Sequence, residues 1–122
     1  MKAMPFAGGL PEADAEFRLA HRLMGAEGDL DRRILGALVG RPRRFLELKP
    51  LLGRRTEANL TQALQRLTRD GLVIQRAADW DAPGIKTHEL TPLGALVLFH
   101  IVEMDFAARA ARLGSGLAAA SA

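Results

Sequence analysis

The residues of this 122-residue sequence best suited to chemistry are cations and amides crowded into its middle third. Arg43, Arg44, Arg54 and Arg55 lead into a segment, Thr56 to Val73, that carries Asn59, Thr61, Gln62, Gln65, Arg66 and Arg69. A guanidinium fork matches phosphate oxygens or the O6/N7 edge of guanine, and a carboxamide matches the N6/N7 edge of adenine. The residue types therefore fit a DNA duplex. Arg43, Arg44, Arg54 and Arg55 are expected on phosphates, and Thr61, Gln62, Gln65, Arg66 and Arg69 on base edges or nearby phosphates. Thr56 and Asn59, at the start of the segment, are further candidate contacts, and Lys86 is one more from a later strand. Between Arg41 and Arg76 nine basic residues face three acidic ones, a local +6 that leaves −3 for the rest of the chain. A basic centre between acidic ends is the footprint of a phosphate-binding surface, although a solvated charged face would read the same by charge alone.

Other chemistries are poorly served. The absence of cysteine removes disulfides, thiol nucleophiles and thiolate metal sites. His21, His88 and His100 have no metal-ligand spacing with one another, so no metal is expected. No Ser/His/Asp arrangement, phosphate loop or paired carboxylate stands out, which argues against an enzyme and against a cofactor. The N-terminal stretch lacks the apolar core of a signal peptide, and the longest apolar run, Leu93 to Phe99, is too short to span a bilayer. A cytoplasmic protein with no membrane contact is the expectation. Apolar residues make up 48% of the chain and charged ones 25%, a balance that folds as one globular domain.

Positioning those side chains falls to helices. Leu60, Leu64 and Leu67 recur at spacings of four and three and mark one buried stripe, so the segment from Thr56 is a helix with its polar residues outward. Thr56 is placed to cap its first turn, and Asp70-Gly71 to end it. Before it, Phe45, Leu48, Leu51 and Leu52 keep helical spacing, with Pro50 breaking or shortening the run. Gly53 then turns the chain. Helix, short glycine-bearing turn and helix form a helix-turn-helix whose second member reads DNA. The run Leu72 to Arg76, a loop Asp79 to Gly84 holding Trp80, and Ile85 to Leu90 read as a two-stranded wing. In it Lys86 and His88 alternate onto one side, and Trp80 is expected to plug the loop.

Two further helices precede this unit. One begins near Pro11, carries Ala13, Phe17, Ala20 and Met24 on one stripe and ends at Gly25. The other spans Leu30 to Val39, with Leu30, Ile34, Leu35 and Leu38 inward and Asp29 or Asp31 as its cap. A last helix starts at Thr91-Pro92 and runs to about Leu113. Between Leu93 and Val102 it is apolar almost all round, which requires cover on two sides. The expected cover is the domain itself and a second copy of the chain. Phe17, Ala20 and Met24 from the first helix, with Leu96, Phe99, His100 and Met104 from the last, are the expected dimer contacts.

The run RILGALVGRPRRFLELKPLLGRRTEANLTQALQRLTRDGLV, with KTHELTPLG after it, resembles the HxlR-type winged helix-turn-helix regulators. The likeness lies in Arg44-Phe45 with Glu47-Leu48, in Leu60-Thr61 with Leu64, Leu67 and Asp70-Gly71-Leu72-Val73, and in Leu90-Thr91 with Leu93-Gly94. It covers roughly residues 30 to 104. The resemblance implies a dimeric repressor or activator, repression being the expected sense, with the terminal helices forming the interface. Departures limit what carries over. The family's N-terminal cysteine is missing, so thiol sensing is not expected. Ala58 and Arg55 stand where the family often has a basic and an apolar residue, and Ile85 replaces the wing arginine, leaving Lys86 as the nearest substitute.

The expectation is thus a mainly α fold with a small β wing. Residues 1–10 form a flexible arm, 11–113 a winged-helix DNA-binding domain with dimerisation helices at both ends, and 114–122 a disordered tail. Its function would be to bind a pseudo-palindromic duplex site as a homodimer and regulate transcription. Two alternatives remain at this level. One is a winged-helix interaction module that binds no DNA. The other is a sensor with an effector pocket at the dimer interface, lined by Phe17, Phe99, Met104 and Phe106.

Overall fold

The computed structural model describes residues 15–53, 55–77 and 84–121. The expected arm over residues 1–10, the helix start at Pro11, Arg54 and the loop residues 78–83 with Trp80 lie outside the described residues. Helix α1 covers residues 15–23, and a single 3-10 turn, Ala26–Gly28, leads into α2, Asp29–Ala37. The entry to α2 is tight. A Cβ on Gly28 would lie 2.3 Å from the carbonyl oxygen of Leu23, so only glycine lets the two helices approach here. Gly28 occupies the N-cap, and neither Asp29 nor Asp31 caps the helix as expected. Both instead fall in its first turn, where negative charge complements the helix dipole.

α2 ends at Ala37, short of the expected Val39, and Gly40, at φ 89°, turns the chain back. Arg43–Arg44 then forms a short strand, β1, where the sequence suggested a plain connector. Two residues are too few to show a period of two, so this strand has no sequence signal. Helix α3, Phe45–Leu48, passes into a 3-10 segment, Lys49–Leu52, at Pro50. The tighter 3-10 winding shifts the facing side chains, so Leu52 is buried and Leu51, expected inward, is half exposed.

The long polar helix is α4, Glu57–Arg69, and it buries Leu60, Ala63, Leu64 and Leu67. Gly71, at φ 80°, closes it, and the chain enters β2, Val73–Ala77. Strand β3, Lys86–Leu90, returns antiparallel, pairing Val73 with Leu90 and Ala77 with Lys86. β1 adds to the other edge of β3, with Arg43 opposite His88, so the wing is a three-stranded sheet in the order β1-β3-β2 rather than the expected pair. The last helix, α5, runs from Pro92 to Ser121. It passes the expected end at Leu113 into the segment expected to be disordered: no proline interrupts that stretch, and alanine is the strongest helix former.

One core joins these elements. α2 packs on α4 and α5, with Ile34, Leu35 and Leu38 meeting Leu60, Leu64 and Leu67 and with Val97 and Ile101 closing the side. Truncating one of these buried leucines to alanine would cost about 2–5 kcal/mol. Gly94 lets α5 lie against the sheet, since a Cβ there would meet the Leu72 carbonyl oxygen at 2.1 Å.

Candidate nucleic-acid interface

The positive φ of Gly53, 76°, separates the first part of the helix-turn-helix from the second. Thr56 then takes an extended conformation, and its hydroxyl oxygen accepts the N–H of Asn59 at 3.0 Å, fixing the start of α4. This is the expected cap, worth about 1 kcal/mol. With the leucine stripe inward, Thr61, Gln62, Gln65 and Arg69 are left exposed on the outer face, and Ala58 and Asn59 are exposed near its start.

The wing stands beside that face. A cleft of about 640 Å³ separates α4 from the sheet, lined by Thr61, Gln65, Thr68 and Arg69 on one wall and Gln75, Lys86 and His88 on the other. Lys86 and His88 do share a side of β3, as their alternation predicts, but they differ in role. Lys86 is exposed, while His88 is 7% exposed and its Nδ1 has no hydrogen-bond partner among the described residues. Burial pushes the His88 pKa down, so the ring is neutral at pH 7. Sequence reading missed Thr68 and Gln75 because a cleft between two elements leaves no pattern in either.

The structure sorts the predicted cations into two groups. Arg43 donates from Nε to the carbonyl of Ala37 at 2.5 Å, closing the end of α2. Arg55 donates to Asp29 at 2.6 Å, and Arg66 donates from Nη2 and Nε to the two oxygens of Asp31 at 2.8 and 3.4 Å. These three arginines are engaged within the fold. The hydrogen bond from Arg66 to Asp31 raises the Arg66 pKa further, so its charge is permanent. Partial desolvation opposes ionisation of Asp29, but the combined pull of Arg33, Arg55 and Arg32 leaves its pKa below the usual carboxylate value.

Arg44, Lys86 and Arg69 form the second group. Among the described residues neither Arg44 nor Lys86 has a carboxylate within ion-pair distance, and Arg69, with a 73% exposed side chain, comes no nearer than 3.9 Å to Asp70. Arg44 is held through its backbone: its N–H donates to Glu47 at 2.7 Å, and this bond lowers the Glu47 pKa, with Arg41 adding to the effect. Glu57, which would repel phosphate at the start of α4, is held by Lys49 at 2.6 Å, and that hydrogen bond keeps its pKa low. The negative charge there is locally compensated.

On the far side of the domain, α1 and α5 share a ring cluster. Phe17 meets His100 edge-on at 6.3 Å, and Phe99 stacks obliquely beside His100 at 6.0 Å. Phe17, Leu96 and Phe99 are exposed, His100, Met24 and Met104 are half-buried, and Ala20 is wholly buried inside the chain. Ala20, expected at a dimer contact, instead belongs to the core. Phe99, Val102, Phe106 and Leu113 are all exposed at spacings of three, four and seven along one side of α5. Among the described residues no helix is long and apolar enough to cross a membrane.

Comparison with known proteins agrees with this geometry. The family profile described as HxlR-like helix-turn-helix matches residues 30–110. Among solved structures, ytfH from Salmonella typhimurium, classed as a transcriptional regulator, is 28% identical at a TM-score of 0.55, over 75% of this chain and 80% of that one. The transcriptional regulator BldR from Sulfolobus solfataricus is 25% identical at a TM-score of 0.60, over 93% of this chain and 86% of that one. Transcriptional regulator Tm0710 from Thermotoga maritima, 22% identical at a TM-score of 0.57 over 86% and 77% of the two chains, shares the fold. No curated protein matches this sequence.

Proposed function

We infer, from a chain that belongs to the HxlR-like helix-turn-helix family, a DNA-binding transcriptional regulator that acts as a homodimeric repressor on a pseudo-palindromic duplex site. One observation carries the reading: α4 turns Thr61, Gln62, Gln65 and Arg69 outward in a row, with Lys86 on the neighbouring wing. The amides and Arg69 supply the groups that read base edges in a major groove, while Arg44 and Lys86 supply phosphate contacts. Thr56 and Asn59 flank the row at the entry to α4, and Arg54, two residues before Thr56 in the sequence, is a further candidate for phosphate. Arg43, Arg55 and Arg66 are bonded within the chain, to the Ala37 carbonyl, Asp29 and Asp31 respectively, and stand outside this row.

Dimerisation is supported by α5. Its 30 residues would span about 45 Å, well beyond the small domain at its start. The exposed Phe99, Val102, Phe106 and Leu113 fall on the three-four alternation of a helix-pairing seam whose one remaining position, between Phe106 and Leu113, is Arg109. A two-fold axis along that seam, with Phe17, Leu96, His100 and Met104 beside it, would set the two α4 helices toward successive major grooves about 34 Å apart. Sequencing the chromosomal fragments that the protein retains, followed by gel shifts on the recovered sites at moderate salt, tests the reading. A palindromic consensus is the expected result, and no binding to any fragment would overturn it.

A further inference from the structure

Arg66 differs from its neighbours on the outer face of α4. Its guanidinium is bonded through two nitrogens to Asp31, whose side chain is 6% exposed, whereas the side chain of Arg66 is 43% exposed. At 3.6 residues per turn, Arg66 sits roughly 80° round the helix from the line of Gln65 and Arg69. That rotation is toward α2. There Arg66 lines a polar cleft with Arg22, Glu27, Arg69 and Asp70; Arg69 also borders the cleft between α4 and the wing, which Arg66 does not line. Removing the arginine from this pair would strand a buried carboxylate, so the pair is strongly held.

We propose that Asp31 determines sequence specificity through Arg66. The buried carboxylate holds the guanidinium against α2, Arg66 makes no contact with the bases, and the reading is left to Thr61, Gln62, Gln65 and Arg69. Asp31 is then a positioning residue that touches no DNA. This inference rests on the DNA-binding reading given above.

Selection from a randomised duplex library and salt titration of binding test it on the full chain. Arg66→Gln should leave affinity within about twofold of the starting protein and the salt slope unchanged. Asp31→Asn frees the arginine; the slope should steepen by about 0.9 for each added contact, and a new preference for guanine should emerge in each half-site. The double variant Asp31→Asn/Arg66→Gln, which removes both charges together, should return to the original slope and preference. It decides the matter where a single variant loses its fold by circular dichroism. A tenfold loss of affinity in Arg66→Gln or in the double variant overturns the proposal, as does weaker binding by Asp31→Asn, since either outcome makes Arg66 a reader that Asp31 supports. If the unaltered protein binds no duplex even at low salt, the DNA reading itself fails, and this inference with it.

Discussion

The hydroxyl of Thr91 donates to the carbonyl of Gly71 at 2.6 Å and accepts the N–H of Gly94 at 2.9 Å. One side chain therefore caps α5 and ties it to the residue that ends α4. The helix that would pair two subunits and the helix that would read DNA are joined at this point, across 20 residues of wing sequence.

Thr91→Val should remove both bonds and leave the Gly71 carbonyl without its partner, at a cost of about 1–2 kcal/mol. Thr91→Ser should retain most of the stability. Urea unfolding followed by circular dichroism measures the difference.

His88 predicts an acid-sensitive fold. Its pKa in the folded chain is lowered by burial, so below about pH 6.5 the unfolded chain takes up a proton that the folded chain refuses. Stability should be independent of this group above that pH and fall as the pH drops beneath it. His88→Phe should flatten the decline between pH 6.5 and 5 in melting temperature measurements.

Two glycines should respond in opposite directions to alanine. At Gly94 the new Cβ would meet the Leu72 carbonyl at 2.1 Å and the Leu90 side chain at 2.9 Å, so α5 must shift, at a cost of roughly 1–3 kcal/mol. At Gly36, in α2, nothing lies within 4 Å, and alanine should stabilise the helix by about 0.5–1 kcal/mol. Denaturant midpoints of both variants check the contrast.

Contacts to DNA should separate by kind. Lys86→Ala should weaken binding to all duplexes alike and flatten the salt slope by about 0.9. Gln65→Ala should change which sequences bind, with a loss of about 1–3 kcal/mol at the recovered site. Gel shifts at several salt concentrations, on specific and random duplexes, distinguish the two.

The apolar seam predicts assembly. Phe99 and Phe106 are 57% and 74% exposed, more than a lone helix face keeps comfortably in water. Phe99→Glu should give a monomer by light scattering and lower DNA affinity by losing the second half-site, while leaving the thermal melt of the monomer cooperative.

Much of the architecture was legible because it depends on periods within single elements. The stripes Leu30, Ile34, Leu35, Leu38 and Leu60, Leu64, Leu67 are all buried as their spacing requires, and Thr56, Gly71 and Thr91 cap or end their helices as residue chemistry dictates. Residue type also fixed which side chains suit phosphate and base edges. What each cation does was decided elsewhere. Arg55 and Arg66 look like Arg44 and Lys86 in the chain, yet the fold brings Asp29 and Asp31 against the first two, from 26 and 35 residues away, and no carboxylate within reach of the other two among the described residues. The strand at Arg43–Arg44 and the cleft that joins Gln65 to Gln75 arise in the same way, from pairing between distant segments. A sequence period reports how one element faces its core; which charge meets which depends on how the elements pack, and only the tertiary structure decides that.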